Sequence, residues 1–298
     1  MVVFPVNDNF AAEIGDIDLS LALSGENRAA IEQAFNQYSV LVFPDQHLTT
    51  EQHLDFARNF GPLETTIHAT RNDAKLRVRA EIADVSNLSP DEQIWDKASR
   101  KRMFEMGNRM WHTDSSFRRV PAKASLLYAR SIPPVGGQTE FADMRAAYDA
   151  LPSATKERLR GLVAEHAIMY SRKKLGFTDF SDEENQNLPP VPQTLLRRHA
   201  GSGRQGLYLA SHAGRIFGMP EEEGNALLQE LIAHATQRQF VYTHRWRVHD
   251  LVMWDNRCTM HRGKGYDDLR WPRDMQRATV SDTASTCEQE GIALPSAA

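Results

Sequence analysis

Phe240-Val-Tyr-Thr-His-Arg-Trp-Arg-Val-His-Asp-Leu-Val-Met-Trp-Asp-Asn-Arg-Cys-Thr-Met-His261 carries two short β-rich runs, 240–244 and 250–254, and ends on a histidine behind a polar turn. Both runs are too short for an ordinary helix and rich in β-branched and aromatic residues, so they read as strands. Runs at 125–129, 139–142, 206–210 and 276–281 read the same way. Many short strands with helices around them predict an α+β protein built on a decorated barrel or jelly roll.

The helices lie on either side of these strands. Near the N-terminus SVLVF (39–43) is an apolar strand candidate between helical patterns at 26–36 and 51–60. The second pattern starts at Thr49-Thr-Glu-Gln52, where a hydroxyl and a Gln side chain can satisfy free amides reciprocally. A further helix is expected over 145–150, running past Pro152 to 166. Another is expected over 221–236, where Leu227, Leu228, Leu231 and Ile232 form an apolar stripe. Residues 181–193, with three prolines and several acids, read as a surface loop.

Composition narrows the classes. A chain of 298 residues with 41% hydrophobic and 25% charged residues can bury a substantial core, which excludes disordered and fibrous classes. One elaborated domain over 1–298, with helical insertions, is the expectation. A net charge of -4 with scattered basic residues gives no attraction to phosphate backbones, so no nucleic-acid partner is expected. The start, MVVFPVNDNFAAEIGD, lacks a basic n-region and an apolar run, so neither a signal peptide nor a membrane span is expected. Two cysteines, Cys258 and Cys287, form no disulfide framework, and a cytoplasmic enzyme fits. A homo-oligomer is left open.

The segment Met110-Trp-His-Thr-Asp-Ser-Ser-Phe117 sets an imidazole and a carboxylate two residues apart. On a strand His112 and Asp114 share a face and can reach one ion. His53-Leu-Asp55 has the same spacing but falls inside the capped helix, where two residues turn roughly 200° and the pair diverges. His261 supplies the third ligand. Two histidines and one carboxylate leave open positions, the arrangement suited to iron(II) enzymes that bind oxygen and a co-substrate. Zinc more often takes three histidines or a thiolate. Cys258 reads as buried and inert rather than as a ligand.

Arg273 and Arg277 share a face if their segment is extended, with Cα atoms about 13 Å apart at roughly 3.3 Å per residue. They can then hold two anions across one cavity, since guanidinium binds carboxylate through paired hydrogen bonds. Pro133-Pro-Val-Gly-Gly-Gln-Thr139 is a turn feeding a strand, and Thr139 offers a hydroxyl that can share a carboxylate with an arginine.

Trp111-His-x-Asp-Ser-Ser-Phe117, Gly136-Gly-x-Thr139, Asp143-Met-Arg-Ala-Ala-Tyr-Asp-Ala-Leu-Pro152 and Trp254-Asp-Asn-Arg-Cys258 followed by His261 together resemble the taurine and phenoxyacetate dioxygenase family. The pattern runs from about Asp18 to Thr279. Within the family, Leu251-Val-Met-Trp-Asp-Asn-Arg-Cys258 and Ala235-Thr-Gln-Arg-x-Phe-Val-Tyr242 are most similar to the subfamily acting on 2,4-dichlorophenoxyacetate. The resemblance implies a double-stranded β-helix core with flanking helices. It also implies Fe(II) on His112, Asp114 and His261, 2-oxoglutarate on Thr139 and Arg273, and the substrate acid on Arg277, with O2 as the second co-substrate. Asn108 and His68 are carried over as groups that approach the substrate. The stretch 65–76 departs from the subfamily and leaves the substrate open, because such loops line pockets. The implied reaction hydroxylates the carbon next to the ether oxygen of a phenoxyacetate-type acid, giving a phenol, glyoxylate, succinate and CO2. The alternatives are the same chemistry on a sulfonate or alkyl sulfate, a zinc hydrolase on the same ligands, and a non-catalytic metal-binding jelly roll.

Overall fold

The computed structural model describes residues 1–7, 9–67, 76–178 and 180–293. Its centre is the ten-residue strand Ala122–Ser131, flanked antiparallel by Leu251–Asp255 and Asp274–Ser281. The full sheet runs Val2–Pro5, Ala11–Gly15, Val40–Phe43, Leu251–Asp255, Ala122–Ser131, Asp274–Ser281, Ile82–Asp84. A second sheet faces it, with Thr139–Asp143 between Val241–His244 and Thr259–Gly263.

Side-chain alternation explains how the two layers meet. Leu127, Ala129, Val252, Trp254 and Met275 point to one face and pack on Phe141 of the smaller sheet. Their neighbours Leu126, Tyr128, Leu251, Met253 and Val280 point the other way and bury Ile31, Phe35, Leu54 and Phe56. Those last four come from helices Gly25–Tyr38 and Thr50–Arg58. The central strands are therefore covered on both faces, which is why SVLVF and LVMW are unbroken apolar runs rather than alternating ones. Outside the smaller sheet, Ala142 and Met260 pack on Leu227, Leu228 and Leu231 of helix Glu221–Ala235. Two facing sheets, antiparallel except where Ala11–Gly15 pairs with Val40–Phe43, with helices outside them are the jelly-roll core that the strand pattern predicts.

The N-terminal helices form as read, including the capping box at Thr49 and Gln52. Two stretches differ. The helix expected from 145 to 166 is two short helices, Met144–Asp149 and Ser153–Leu159, followed by a strand, Val163–His166. Pro152 has no N–H to continue the first helix, and Gly161 takes φ 72°, which turns the chain into the strand. The expected loop 181–193 contains the helix Asp182–Asn187 and most of the strand Val191–Thr194. Ser181 and Glu184 close a second capping box there, and acids in the first turn suit the helix dipole. Strand 206–210 shrinks to Gln205–Leu207, and Phe240 belongs to a 3-10 turn ahead of Val241–His244. No helix among the described residues is long and apolar enough to cross a membrane.

One fully buried cation ties the layers together. Arg145 donates to the carbonyls of Asn36 (3.1 Å) and Gln37 (3.2 Å), two of the last carbonyls of the first helix, and lies 3.4 Å from Asp143. Removing one partner of such a network leaves buried groups unpaired, so Arg145→Met should lower unfolding free energy by about 3–5 kcal/mol. Urea denaturation checks this, and a loss below about 1 kcal/mol would show that the carbonyls find other donors.

Burial also lowers two histidines, His53 to about 4 and His166 to about 3, from an ordinary value of 6.5. Both rings stay neutral in the fold while the unfolded chain binds protons below pH 6.5. Stability is thus complete above that value and lost as pH falls toward the folded values, by roughly 2 kcal/mol per ring at pH 5. The difference in denaturation midpoint between pH 8 and pH 5 should shrink in His166→Phe; an unchanged difference would acquit this ring.

Candidate active site

The backbone of His112 exchanges both hydrogen bonds with that of His261, at 3.0 and 2.8 Å, forming an isolated antiparallel bridge. The His-x-Asp segment thus joins the edge of the smaller sheet at one residue, opposite the strand Thr259–Gly263. It does not continue as the expected strand, because the chain turns at Ser115, whose φ is 52°. Alternation nevertheless holds over the three residues that matter. The Thr113 hydroxyl points away and donates to the carbonyl of Leu209 at 2.8 Å, while His112 and Asp114 face His261.

His112 Nε2 lies 3.7 Å from Asp114 Oδ1, and His261 Nε2 lies 3.6 Å from Oδ2. The imidazole rings are 4.2 Å apart, and all three side chains are buried. His112 Nδ1 is 2.7 Å from the carbonyl of Met110, which can only accept, so Nδ1 carries the proton and Nε2 presents its lone pair. Burial pushes both imidazoles below their ordinary range, keeping them neutral. Burial alone would raise the Asp114 carboxyl, but the Arg277 guanidinium and the Ser125 hydroxyl hold it at about 2. An anionic oxygen pair beside two neutral ring nitrogens is a donor set that fits a divalent ion with open positions. The look-alike pair separates: His53 is buried against the Leu126 carbonyl, while Asp55 is exposed and pairs with Arg58.

Asp114 is held from several sides. Arg277 Nη1 donates to Oδ1 at 2.6 Å and the Ser125 hydroxyl to Oδ2 at 2.7 Å. Asn256 Nδ2 donates to Ser125 Oγ, while its carbonyl accepts from the Asp114 amide and the Trp254 indole. Ser125 and Asn256 were not picked out from the sequence. Asn256 stood inside the quoted Trp254-to-Cys258 run, but only contacts assign it a task. Cys258 is buried as expected, 3.1 Å from the Ser39 hydroxyl, with its thiol raised by burial to about 12. It forms a second potential cluster with His199 and Asp255, yet that carboxylate is already engaged by Arg257 at 2.6 Å and His199 at 2.9 Å.

Two cavities open beside the triad. One is lined by His112, His261, Thr139, Arg273 and Arg277. Arg273 is buried, its Nε has no hydrogen-bond partner, and no carboxylate pairs with it among the described residues. Thr139 Oγ1 accepts from the Trp246 indole at 3.0 Å, which leaves the hydroxyl proton for another acceptor. A buried guanidinium and a free hydroxyl proton are a cradle for a carboxylate. The other cavity shares His112 and Arg277 and adds Asp114, Phe117, Arg172 and His212. Asn108 lines both cavities, with its amide on Glu105 at 2.5 Å. His68 lies outside the described residues.

Residues 3–279 match the family described as taurine catabolism dioxygenase TauD, TfdA family. The chain belongs to this family. It is 47% identical to the alpha-ketoglutarate-dependent 2,4-dichlorophenoxyacetate dioxygenase of Cupriavidus pinatubonensis, covering 95% of this chain and 99% of that protein. It is 38% identical to the (S)-phenoxypropionate/alpha-ketoglutarate-dioxygenase of Sphingobium herbicidovorans, covering 95% and 97%. The solved structure of AAD-2 in complex with Mn(II) and N-oxalylglycine is 48% identical with a TM-score of 0.87, covering 96% and 98%. The protein is an Fe(II)- and 2-oxoglutarate-dependent dioxygenase, and the His-Asp-His constellation is complete in it.

Asp114→Ala should abolish turnover and metal binding, whereas Ser125→Ala should weaken Mn(II) binding ten- to hundredfold by loosening the carboxylate. Mn(II) titration followed by electron paramagnetic resonance reads both. Wild-type affinity in the Asp114 variant would refute the ligand assignment.

Proposed function

We propose that this enzyme hydroxylates the carbon next to the ether oxygen of a phenoxyacetate-type acid, with 2,4-dichlorophenoxyacetate as the model substrate. The observation that carries the reading is the pair of cavities that share His112 and Arg277, only one of which is also lined by Arg273. Such a site receives two acids. The similarity to the Cupriavidus and Sphingobium enzymes supports aryloxy acids among them.

In this reading His112, Asp114 and His261 hold iron(II), which when bound activates oxygen as 2-oxoglutarate is oxidised to succinate and CO2. Arg273 and Thr139 fix the far carboxylate of 2-oxoglutarate. Leu127, Trp254 and Val85, on the wall of the same cavity, limit water there. Arg277 takes the substrate carboxylate and so aims the adjacent carbon at the triad, while Phe117 and Ile168 offer apolar surface to the ring. Asn108 and His68 approach the substrate. The hydroxylated product is a hemiacetal: its hydroxyl loses a proton as the carbonyl forms, the ether C–O bond breaks, and the departing phenolate is protonated. Phenol and glyoxylate result. A single domain performs all of this, working in the cytoplasm; the two free, buried cysteines support a reducing compartment.

Protein loaded anaerobically with iron(II), then exposed to air with 2-oxoglutarate, should form succinate faster with phenoxyacetates than with taurine or alkyl sulfates, and should release phenol. Sulfite or sulfate in place of phenol would move the substrate to the sulfonate class. Arg277→Ala removes a charge-assisted hydrogen bond of about 1.5–3 kcal/mol, so the substrate KM should rise tenfold or more. The KM for 2-oxoglutarate should move little.

A further inference from the structure

Arg172, on the helix Ile168–Lys173, is 4% exposed and lines the cavity that contains Asp114 and Arg277. Its guanidinium carbon stands 4.4 Å over the Phe104 ring, and Nη1 donates to the neutral Ser171 hydroxyl at 2.9 Å. Nε has no hydrogen-bond partner, and no salt bridge reaches the group among the described residues. Arg277 has the same feature: Nη1 is on Asp114, while its buried Nε is unpartnered. The two guanidiniums repel one another. Burial first, and Arg277 as well, push Arg172 down to about 10, while the field of Glu105 favours its charge.

The surroundings are built to keep Arg172 where it is. Ser171 Oγ donates to the Ile168 carbonyl, so it accepts from both Arg172 and His212 Nδ1. The His212 ring stands edge-on to His112 at 5.9 Å, which links the arginine to the triad through two side chains, Ser171 and His212. Gly107 is packed under the guanidinium: a Cβ there would fall 2.3 Å from Arg172 Cζ. Only a residue without a side chain lets the cation lie in this place. Arg172 does not line the cavity of Thr139 and Arg273.

A buried cation that shares a cavity with a second cation, each with an unpartnered donor, is satisfied when an anion enters that cavity. We infer that Arg172 is a second anchor for the acid group of the substrate, gripping it together with Arg277. The inference rests on the reading above that the substrate is an organic acid. It adds a specificity-determining residue from a helix outside the two facing sheets.

The test compares Arg172→Gln, Arg172→Lys and Gly107→Ala in the iron-loaded enzyme, with a phenoxyacetate and its neutral amide as paired probes. Arg172→Gln should raise the KM for the acid ten- to hundredfold, leave that for 2-oxoglutarate within about twofold, and erase the preference for acid over amide. Arg172→Lys should recover part of that preference. Gly107→Ala, which displaces the guanidinium while keeping its charge, should weaken acid binding in the same direction, so the test survives if the Gln variant does not fold. An unchanged acid KM, an equal loss for acid and amide, or a rise confined to 2-oxoglutarate would overturn the assignment. If wild type responds only to a sulfonate or sulfate, the aryloxy reading falls and Arg172 is judged on that acid. A wild type stimulated equally by neutral compounds overturns both.

Discussion

Everything in the site hangs on two backbone hydrogen bonds. By exchanging amide and carbonyl, His112 and His261 are locked opposite one another although they are far apart in the chain. Their rings are therefore brought to within 4.2 Å of one another. The bridge also sets the direction of Asp114, because a residue two positions along from a bridged one faces the same side. Behind it the large sheet supplies support: Ser125 and Trp254 are direct partners across the register of Ala122–Ser131 and Leu251–Asp255. Both reach Asp114, one directly and one through Asn256. Preorganisation of the carboxylate is thus a property of sheet register rather than of a loop.

Buried arginines show which parts of the molecule are finished and which await a ligand. Arg145 is enclosed by carbonyls and an acid, so its role ends within the fold. Arg273 and Arg172 are also buried but line cavities, and each keeps an unpartnered Nε. The contrast follows from desolvation, since a buried charge is tolerated only with partners or with a ligand that brings them. The sequence picks out Arg273 by its spacing from Arg277, but nothing in it separates Arg172 from Arg145.

What the sequence makes legible follows from physics that is local. Period-two geometry was enough to couple His112 with Asp114 and, with helix geometry, to dismiss His53 and Asp55. The capping signature at Thr49 located a helix start, and apolar runs located the strands that are covered on both faces. What stayed hidden is set by distant chain. The strand Val163–His166 exists because Ala213–Ile216 and Val191–Thr194 pair with it, and the residues before it are good helix formers. The loop expected at 181–193 contained a capping box as clear as that at Thr49, but three prolines outweighed it in the reading. Arg172 had no local signal at all. Its meaning comes from Gly107 and Phe104, which the fold alone brings beneath it.

Unpartnered arginine donors, rather than net charge, explain why the same scaffold suits anions in both cavities beside the triad. Asp114 holds a full negative charge because the Arg277 guanidinium and the Ser125 hydroxyl favour it. One end of Arg277 is thereby committed to the metal-binding group, while its Nε stays unpartnered and the side chain borders the second cavity as well as the first. An acid arriving there meets a guanidinium whose position is already fixed by a carboxylate, so little side-chain entropy is lost on binding. A neutral molecule of the same shape would leave the arginine donors of both cavities unsatisfied, and that penalty, more than any attraction to the ring, selects acids. In the proposed reading, ring identity is a matter for Phe117, Ile168, Thr65, Thr66 and Ile67, which line the same cavity.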